Sequence, residues 1–226
     1  MNFNISPDPL KLPELTEHLK TESDYQYERL KKKLSDEQFS LLSSRPEFRT
    51  VIALSDFISN TIFSYPQYCC KLVSEGALDD SKFALSESFF ERELQLSNLQ
   101  DPELKRVLRM VRRGVYMAIA WRDLLGISTI EETFEKLSFC AEQFVLLTLG
   151  ELRKQSVKAF GDAFGEDGEP LPLLVLGMGK LGGKELNFSS DLDLIFAYPH
   201  EGETVGGSRS LSYREYFSRI VRRFYV

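Results

Sequence analysis

Between two apolar runs, 171–176 and 192–198, the chain places four glycines within seven residues: Gly177, Gly179, Gly182 and Gly183. Apolar runs this short, bounded by turn residues, read as strands, and the first is of the kind expected for a buried strand. Gly165, Gly168 and Pro170 supply turn chemistry ahead of it. The second run, interrupted by acid only at Asp193, gives way to Pro199 and a loop over 202–208. A helix is expected over 212–225, with Tyr216, Ile220, Val221 and Phe224 on one side. The order is therefore strand, glycine turn, short helix, strand, loop, helix. Two strands cannot stand alone in water, so they need further strands or helices to pack on. The last helix also runs to Val226 without a capping residue, so the chain is expected to be the front part of a longer protein.

Upstream, residues 24–160 read as successive helices. Asp101 and Pro102 suit a helix start. Leu104, Val107, Leu108, Val111, Val115 and Ile119 follow at three- and four-residue steps, and Gly126 suits the end. A further helix from about Thr129 carries a stripe of Phe134, Leu137, Ala141, Phe144 and Leu147. Residues 53–63 form a short helical stretch, and Pro66 stops or restarts the chain. The fold class is α+β. Three regions are expected: an amino-terminal extension over 1–44, partly helical; a helical region over 45–163; and an incomplete α/β domain over 164–226.

Composition narrows the function. Lys and Arg number 28 against 34 Asp and Glu, a net charge of −6. A chain this acidic lacks the broad basic footprint of a nucleic-acid or anionic-membrane binder. Cys69 and Cys70 are adjacent and Cys140 is distant, a poor disulfide framework that points to a reducing compartment. His18 and His200 have no nearby cysteine, which excludes zinc sites built on Cys and His spacing. With no signal-peptide pattern and no apolar run near the roughly 20 residues a bilayer span needs, a cytoplasmic location is expected.

Gly177, Gly179 and Gly182 after a strand superficially match a dinucleotide fingerprint. That site needs a full helix before the next strand and an acid about twenty positions on. Here only eight residues separate Gly182 from Asp191, and position 197 is Ala197. A metal-dependent phosphoryl-transfer site fits better. Residues i and i+2 of a strand share a face, so Asp191 and Asp193 project together while Leu192 and Leu194 face the core. Adjacent carboxylates repel unless a cation bridges them, and hard oxygens suit Mg²⁺. The glycines clear side chains from backbone N–H groups that can approach a phosphate, with Lys180 at the same mouth.

The glycine turn, short helix and Asp191/Asp193 pair entering a strand resemble the DNA polymerase β-like nucleotidyltransferase superfamily. More narrowly, residues 177–183, with Glu185, Leu186, Asn187, Phe188, Ser189, Ser190, Asp191, Asp193, Leu194, Ile195 and Phe196, are similar to the glutamine synthetase adenylyltransferase/adenylyl-removing family. Residues 53–57, with Arg112, Arg113, Ile119, Trp121 and Arg122, resemble stretches ahead of that family's first transferase domain. The resemblance covers about residues 45–226.

It implies a truncated polymerase β-like domain after a helical region. It also implies an enzyme regulating nitrogen assimilation, in which this half removes AMP from a tyrosine of glutamine synthetase by phosphorolysis, releasing ADP. The other half adenylylates from ATP. By the same resemblance Asp191 and Asp193 hold Mg²⁺ or Mn²⁺. Gly177, Gly179, Gly182 and Gly183, with Lys180, hold phosphate oxygens, and Ser190 orients Asp191. Glutamine synthetase and a PII signal protein are the implied partners. The family also needs a third carboxylate from a later strand, and no acid after Asp193 lies in one; Glu215 falls on the final helix. The chain alone is therefore expected to be inactive.

Other features read more plainly. The arginines Arg106, Arg109, Arg112 and Arg113 form a solvated face with local carboxylate partners or a docking surface. Trp121 is expected in the core, the cysteines in packing, and His200 in an exposed loop. The alternatives to the enzyme are a non-catalytic helical interaction module and a related PII uridylyltransferase-like protein.

Overall fold

The computed structural model describes residues 14–79 and 84–225. Of the expected amino-terminal extension, residues 1–13 lie outside the described residues, as does Val226. The elements run α1 (Glu17–Lys33), α2 (Asp36–Ser43), α3 (Phe48–Leu54), α4 (Asp56–Ser64), α5 (Pro66–Ser74), α6 (Glu87–Leu94), α7 (Asp101–Leu124) and α8 (Ile130–Phe160). They continue with β1 (Gly161–Asp162), β2 (Leu174–Gly177), α9 (Gly179–Gly182), β3 (Leu194–Ala197), β4 (Val205–Gly206) and α10 (Tyr213–Tyr225). The architecture is α+β with a long helical region. Among the described residues no helix is long and apolar enough to cross a membrane.

The chain forms two compact units that interleave in sequence: Met1–Leu85 with Leu108–Leu137, and Ser86–Val107 with Ser138–Val226. The first is helical. Local chemistry sets its boundaries: Ser35 and Gln38 close a reciprocal capping box at α2, Ser55 caps α4, and Pro66 opens α5. Leu30, Leu42, Val51, Ile52, Ile58 and Ile62 are buried there, and Trp121 stacks on Phe48 with ring centroids 6.2 Å apart. Trp121 is thus a core residue, as expected. Buried Arg122 donates to the Asp79 backbone carbonyl at 2.5 Å.

Burial also explains the thiols. Cys69, Cys70 and Cys140 are buried, and none of them is in a disulfide. Burial first, then the neighbouring Cys70 thiol, pushes Cys69 up to about 12. Burial followed by Glu37 pushes Cys70 up to about 11. Thiols held protonated this firmly pack rather than react.

The second unit is organised around α8. Arg153 on this helix bonds the Asp162 carboxylate and also donates to the Leu171 and Ala163 carbonyls. Tyr216 of α10 donates to the same Asp162 oxygen at 3.0 Å. The Tyr213 hydroxyl donates to the Phe164 carbonyl at 2.8 Å and accepts the Phe164 N–H. These bonds tie α8, β1 and α10 together, while Tyr216, Phe217 and Ile220 bury the inner face of α10.

Two small antiparallel sheets complete the unit, β1 with β4 and β2 with β3. In the second, Leu174 pairs with Ala197 and Gly177 with Leu194. Antiparallel pairing of the strands flanking the glycine turn is incompatible with a βαβ dinucleotide unit, whose strands are parallel. Two expectations need correction here. The strands are shorter than the apolar runs, because strand pairing covers only four positions of each. The first is also not fully buried: Leu174 and Leu176 are 47% and 54% exposed, because only the other face of this two-stranded sheet is covered.

Candidate functional site: the glycine turn and the aspartate pair

Strand β2 delivers the chain to Met178, whose N–H donates to the Asp193 carbonyl at 2.9 Å and extends the ladder by one bond. Gly179 then turns back with φ +54°, a left-handed conformation that side chains resist. Helix α9 starts there without a side-chain cap, so the chain itself leaves its first N–H groups open. Gly182 permits this helix to close on the strand, since a β-carbon there would stand 2.5 Å from the Gly177 carbonyl oxygen. Gly177 has Leu181 against it, and Leu181 is buried, pinning α9 from below. Gly183 follows as the helix end with an ordinary right-handed conformation.

The return to β3 is a second built turn. Leu186 is buried, and its N–H donates to Ser138 on α8 at 3.2 Å. Asn187 accepts through Oδ1 from the Ser189 N–H, the Ser189 hydroxyl and, at 2.7 Å, the Ser190 hydroxyl. The Ser190 oxygen in turn accepts the Asn187 N–H at 3.2 Å. The hydroxyl expected to orient Asp191 is thus engaged with Asn187, and it shapes the loop rather than the carboxylate.

Asp191 and Asp193 lie immediately before β3, in extended chain rather than within the strand, and both are exposed. Leu192 and Leu194 between and after them are more covered, which preserves the expected alternation. The structure brings Asp193 to the glycine turn: its Oδ2 lies 3.9 Å from where a β-carbon on Gly179 would stand. Lys180 sits exposed on α9. Behind the turn is a cavity of about 280 Å³, with Val145 and Leu146 on one wall and Val175, Gly177 and Leu194 on the other. Among the described residues no three His, Cys, Asp or Glu side chains gather closely enough to hold a metal ion. Among the described residues the aspartate pair therefore offers two carboxylates without a third acid gathered beside them, although the Glu185 carboxyl carbon lies 3.7 Å from where a β-carbon on Gly183 would stand.

Residues outside this turn contribute less. His200 is exposed in the loop after β3, its Nδ1 near the Glu201 carbonyl. Arg112 lies over the Tyr116 ring and Arg113 over the Phe57 ring. Sequence reasoning missed Asn187 and Ser138, whose polar side chains stabilise the turn. The Asn–x–Ser–Ser wording of 187–190 is the signal that could have revealed Asn187, since short polar side chains bond backbone two residues on.

Comparison with known proteins gives a consistent picture. A family model described as glutamate-ammonia ligase adenylyltransferase matches residues 46–225. A bifunctional glutamine synthetase adenylyltransferase/adenylyl-removing enzyme of Shewanella woodyi is 41% identical over 180 residues, 78% of this chain and 18% of the relative. The protein of the same description from Shewanella oneidensis is 39% identical over 181 residues, 80% of this chain and 19% of the relative. A third, from Shewanella loihica, is 38% identical over 180 residues, again 78% and 18%. The chain spans about a fifth of the length of these relatives.

Proposed function

Because the chain belongs to the glutamate-ammonia ligase adenylyltransferase family, we propose that it is part of an enzyme that transfers or removes a nucleotidyl group on glutamine synthetase. The residues at 53–57 and at 112–122 support the deadenylating half, in which phosphate attacks AMP-tyrosine and ADP leaves. The single observation that carries the reading is the Asp193 carboxylate facing the bare turn at Gly179.

The donor set suits a divalent ion of the Mg²⁺ or Mn²⁺ kind. Mg²⁺ keeps several waters and takes only one or two carboxylates together with substrate phosphates, and Asp191 and Asp193 supply that number. These two residues would hold it, and its charge would offset the negative charge that builds on the phosphoryl oxygens and leaving group. The chain's own groups do the rest. The turn presents the open backbone N–H groups of Gly179, Lys180 and Leu181 at the uncapped start of α9 to phosphate oxygens. Gly182 and Gly183, whose own N–H groups are donated to the Met178 and Gly179 carbonyls, serve with Gly177 to keep side chains clear. Lys180 adds a point charge at the mouth. Asn187 and Ser190 hold the loop that carries Asp191. Leu186 on Ser138 fixes this assembly to α8.

With two carboxylates and, among the described residues, no third acid gathered with them, the 226-residue chain alone is inactive, and the remainder of the longer enzyme completes the site. A PII signal protein is the regulatory partner that the family resemblance supports, and ATP, ADP and phosphate are the small-molecule substrates. The test is phosphate-dependent ADP release from adenylylated glutamine synthetase by the full-length parent. Asp193→Asn lowers the rate by about a hundredfold or more. An unchanged rate contradicts the reading.

A further inference from the structure

Helix α10 concentrates positive charge in an acidic chain. It carries Arg214, Arg219, Arg222 and Arg223 against a single acid, Glu215, while the whole chain has a net charge of −6. All four arginines line one open groove of about 680 Å³, whose other wall is α8 at Gln155, Ser156, Ala159 and Phe160. Two of them are used inside the fold. Arg219 pairs with Glu215 at 3.1 Å, and Arg223 bonds Asp101 at 2.5 Å and Gln155 at 2.8 Å. Arg214 and Arg222 are exposed and have no ion-pair partner among the described residues.

Helix electrostatics accounts for only one of this second pair. A cation in the last turn, such as Arg222, complements the helix dipole, whereas one in the first turn, such as Arg214, opposes it. Arg214 therefore stands where an arginine weakens the helix, and the adjacent Glu215 is turned to Arg219 instead. The two guanidinium groups without an ion pair, of which Arg214 lies near enough to the Tyr198 hydroxyl to act on it electrostatically, are eight residues apart, about 12 Å along the axis at 1.5 Å per residue. An extended peptide covers the same distance in about four residues at 3.3 Å each. Guanidinium forks bind carboxylates in a bidentate manner, and Phe160, with the Arg219 guanidinium 5.4 Å from its ring centroid, offers an apolar floor for a peptide's carbons.

We propose that the groove between α8 and α10 docks an extended acidic segment of a partner protein, with carboxylates about four residues apart engaging Arg214 and Arg222. The proposal is independent of the nucleotidyl-transfer reading. Its test is fluorescence anisotropy of a labelled hexaglutamate peptide titrated with the chain. Hexaglutamate binds, added salt weakens it, and the double variant Arg214→Ala/Arg222→Ala loses about tenfold or more in affinity. Glu215→Gln removes the competing carboxylate and tightens binding; this gain keeps the proposal testable should the double variant not fold. Absence of binding, equal affinity of the folded double variant, a Glu215→Gln variant with no gain, or displacement by tripolyphosphate at lower concentration than by unlabelled hexaglutamate each overturns it.

Discussion

The Asp193 carboxylate faces Gly179 across 3.9 Å, measured to where a β-carbon would stand, while the backbone carbonyl of the same aspartate accepts the Met178 N–H at 2.9 Å. One residue thus serves as the last rung of the β2–β3 ladder and as the charged wall of the turn. Fold and chemistry are coupled at this point, because whatever keeps the ladder in register also sets where the carboxylate points.

That coupling separates two glycines. A side chain at Gly179 must adopt φ +54°, costing roughly 1 kcal/mol, and it fills the space that Asp193 faces. A side chain at Gly182 meets the Gly177 carbonyl oxygen at 2.5 Å, a true overlap costing about 1–3 kcal/mol. Gly182→Ala is therefore the more destabilising in urea unfolding of the chain. Gly179→Ala loses more activity in the full-length parent than its stability change explains.

Asn187 holds its turn through one oxygen that accepts three bonds, the shortest at 2.7 Å. Asn187→Ala removes all three and lowers stability by about 1–2 kcal/mol. Asn187→Asp retains the accepting oxygen and loses less than half as much. Chemical denaturation of the three proteins side by side checks the order.

The buried thiols set a limit on alkaline stability. Cys69 is raised from an ordinary 9.0 to about 12 and Cys70 from 9.0 to about 11, so the folded chain keeps protons that the unfolded chain releases. Their stabilisation is complete below pH 9 and declines as pH rises from there towards 11 and 12. Unfolding midpoints should fall over that range. Cys69→Ala, although less stable at neutral pH, shows a shallower fall; an equally steep one contradicts the assignment.

Much of this was readable in the residues themselves. Pro66 and Gly126 marked helix boundaries correctly because breakers act locally, whereas the single helical stretch expected over 53–63 is split at Ser55, which ends α3 and caps α4. The stripe on α7 was legible because that helix repeats its apolar positions at a regular period. The α8 stripe was read too narrowly: Cys140, Val145, Thr148 and Leu149 are also buried, since this helix is covered on more than one side. The two-residue strands β1 and β4 have no periodicity to read, and their pairing of Gly161 with Gly206 comes from tertiary contact. In the site, the glycine and aspartate spacing announced the turn. The hydroxyl of Ser190 and the support from Ser138 depended on which polar neighbour lay nearest in space, which spacing does not encode.

The most direct test of the account is Mn²⁺ binding to the full-length parent enzyme, followed by electron paramagnetic resonance. If Asp191 and Asp193 grip the ion opposite the glycine turn, Asp191→Asn and Asp193→Asn each weaken Mn²⁺ binding by about tenfold or more, while the fold remains intact. Unaltered Mn²⁺ affinity in both folded variants contradicts it.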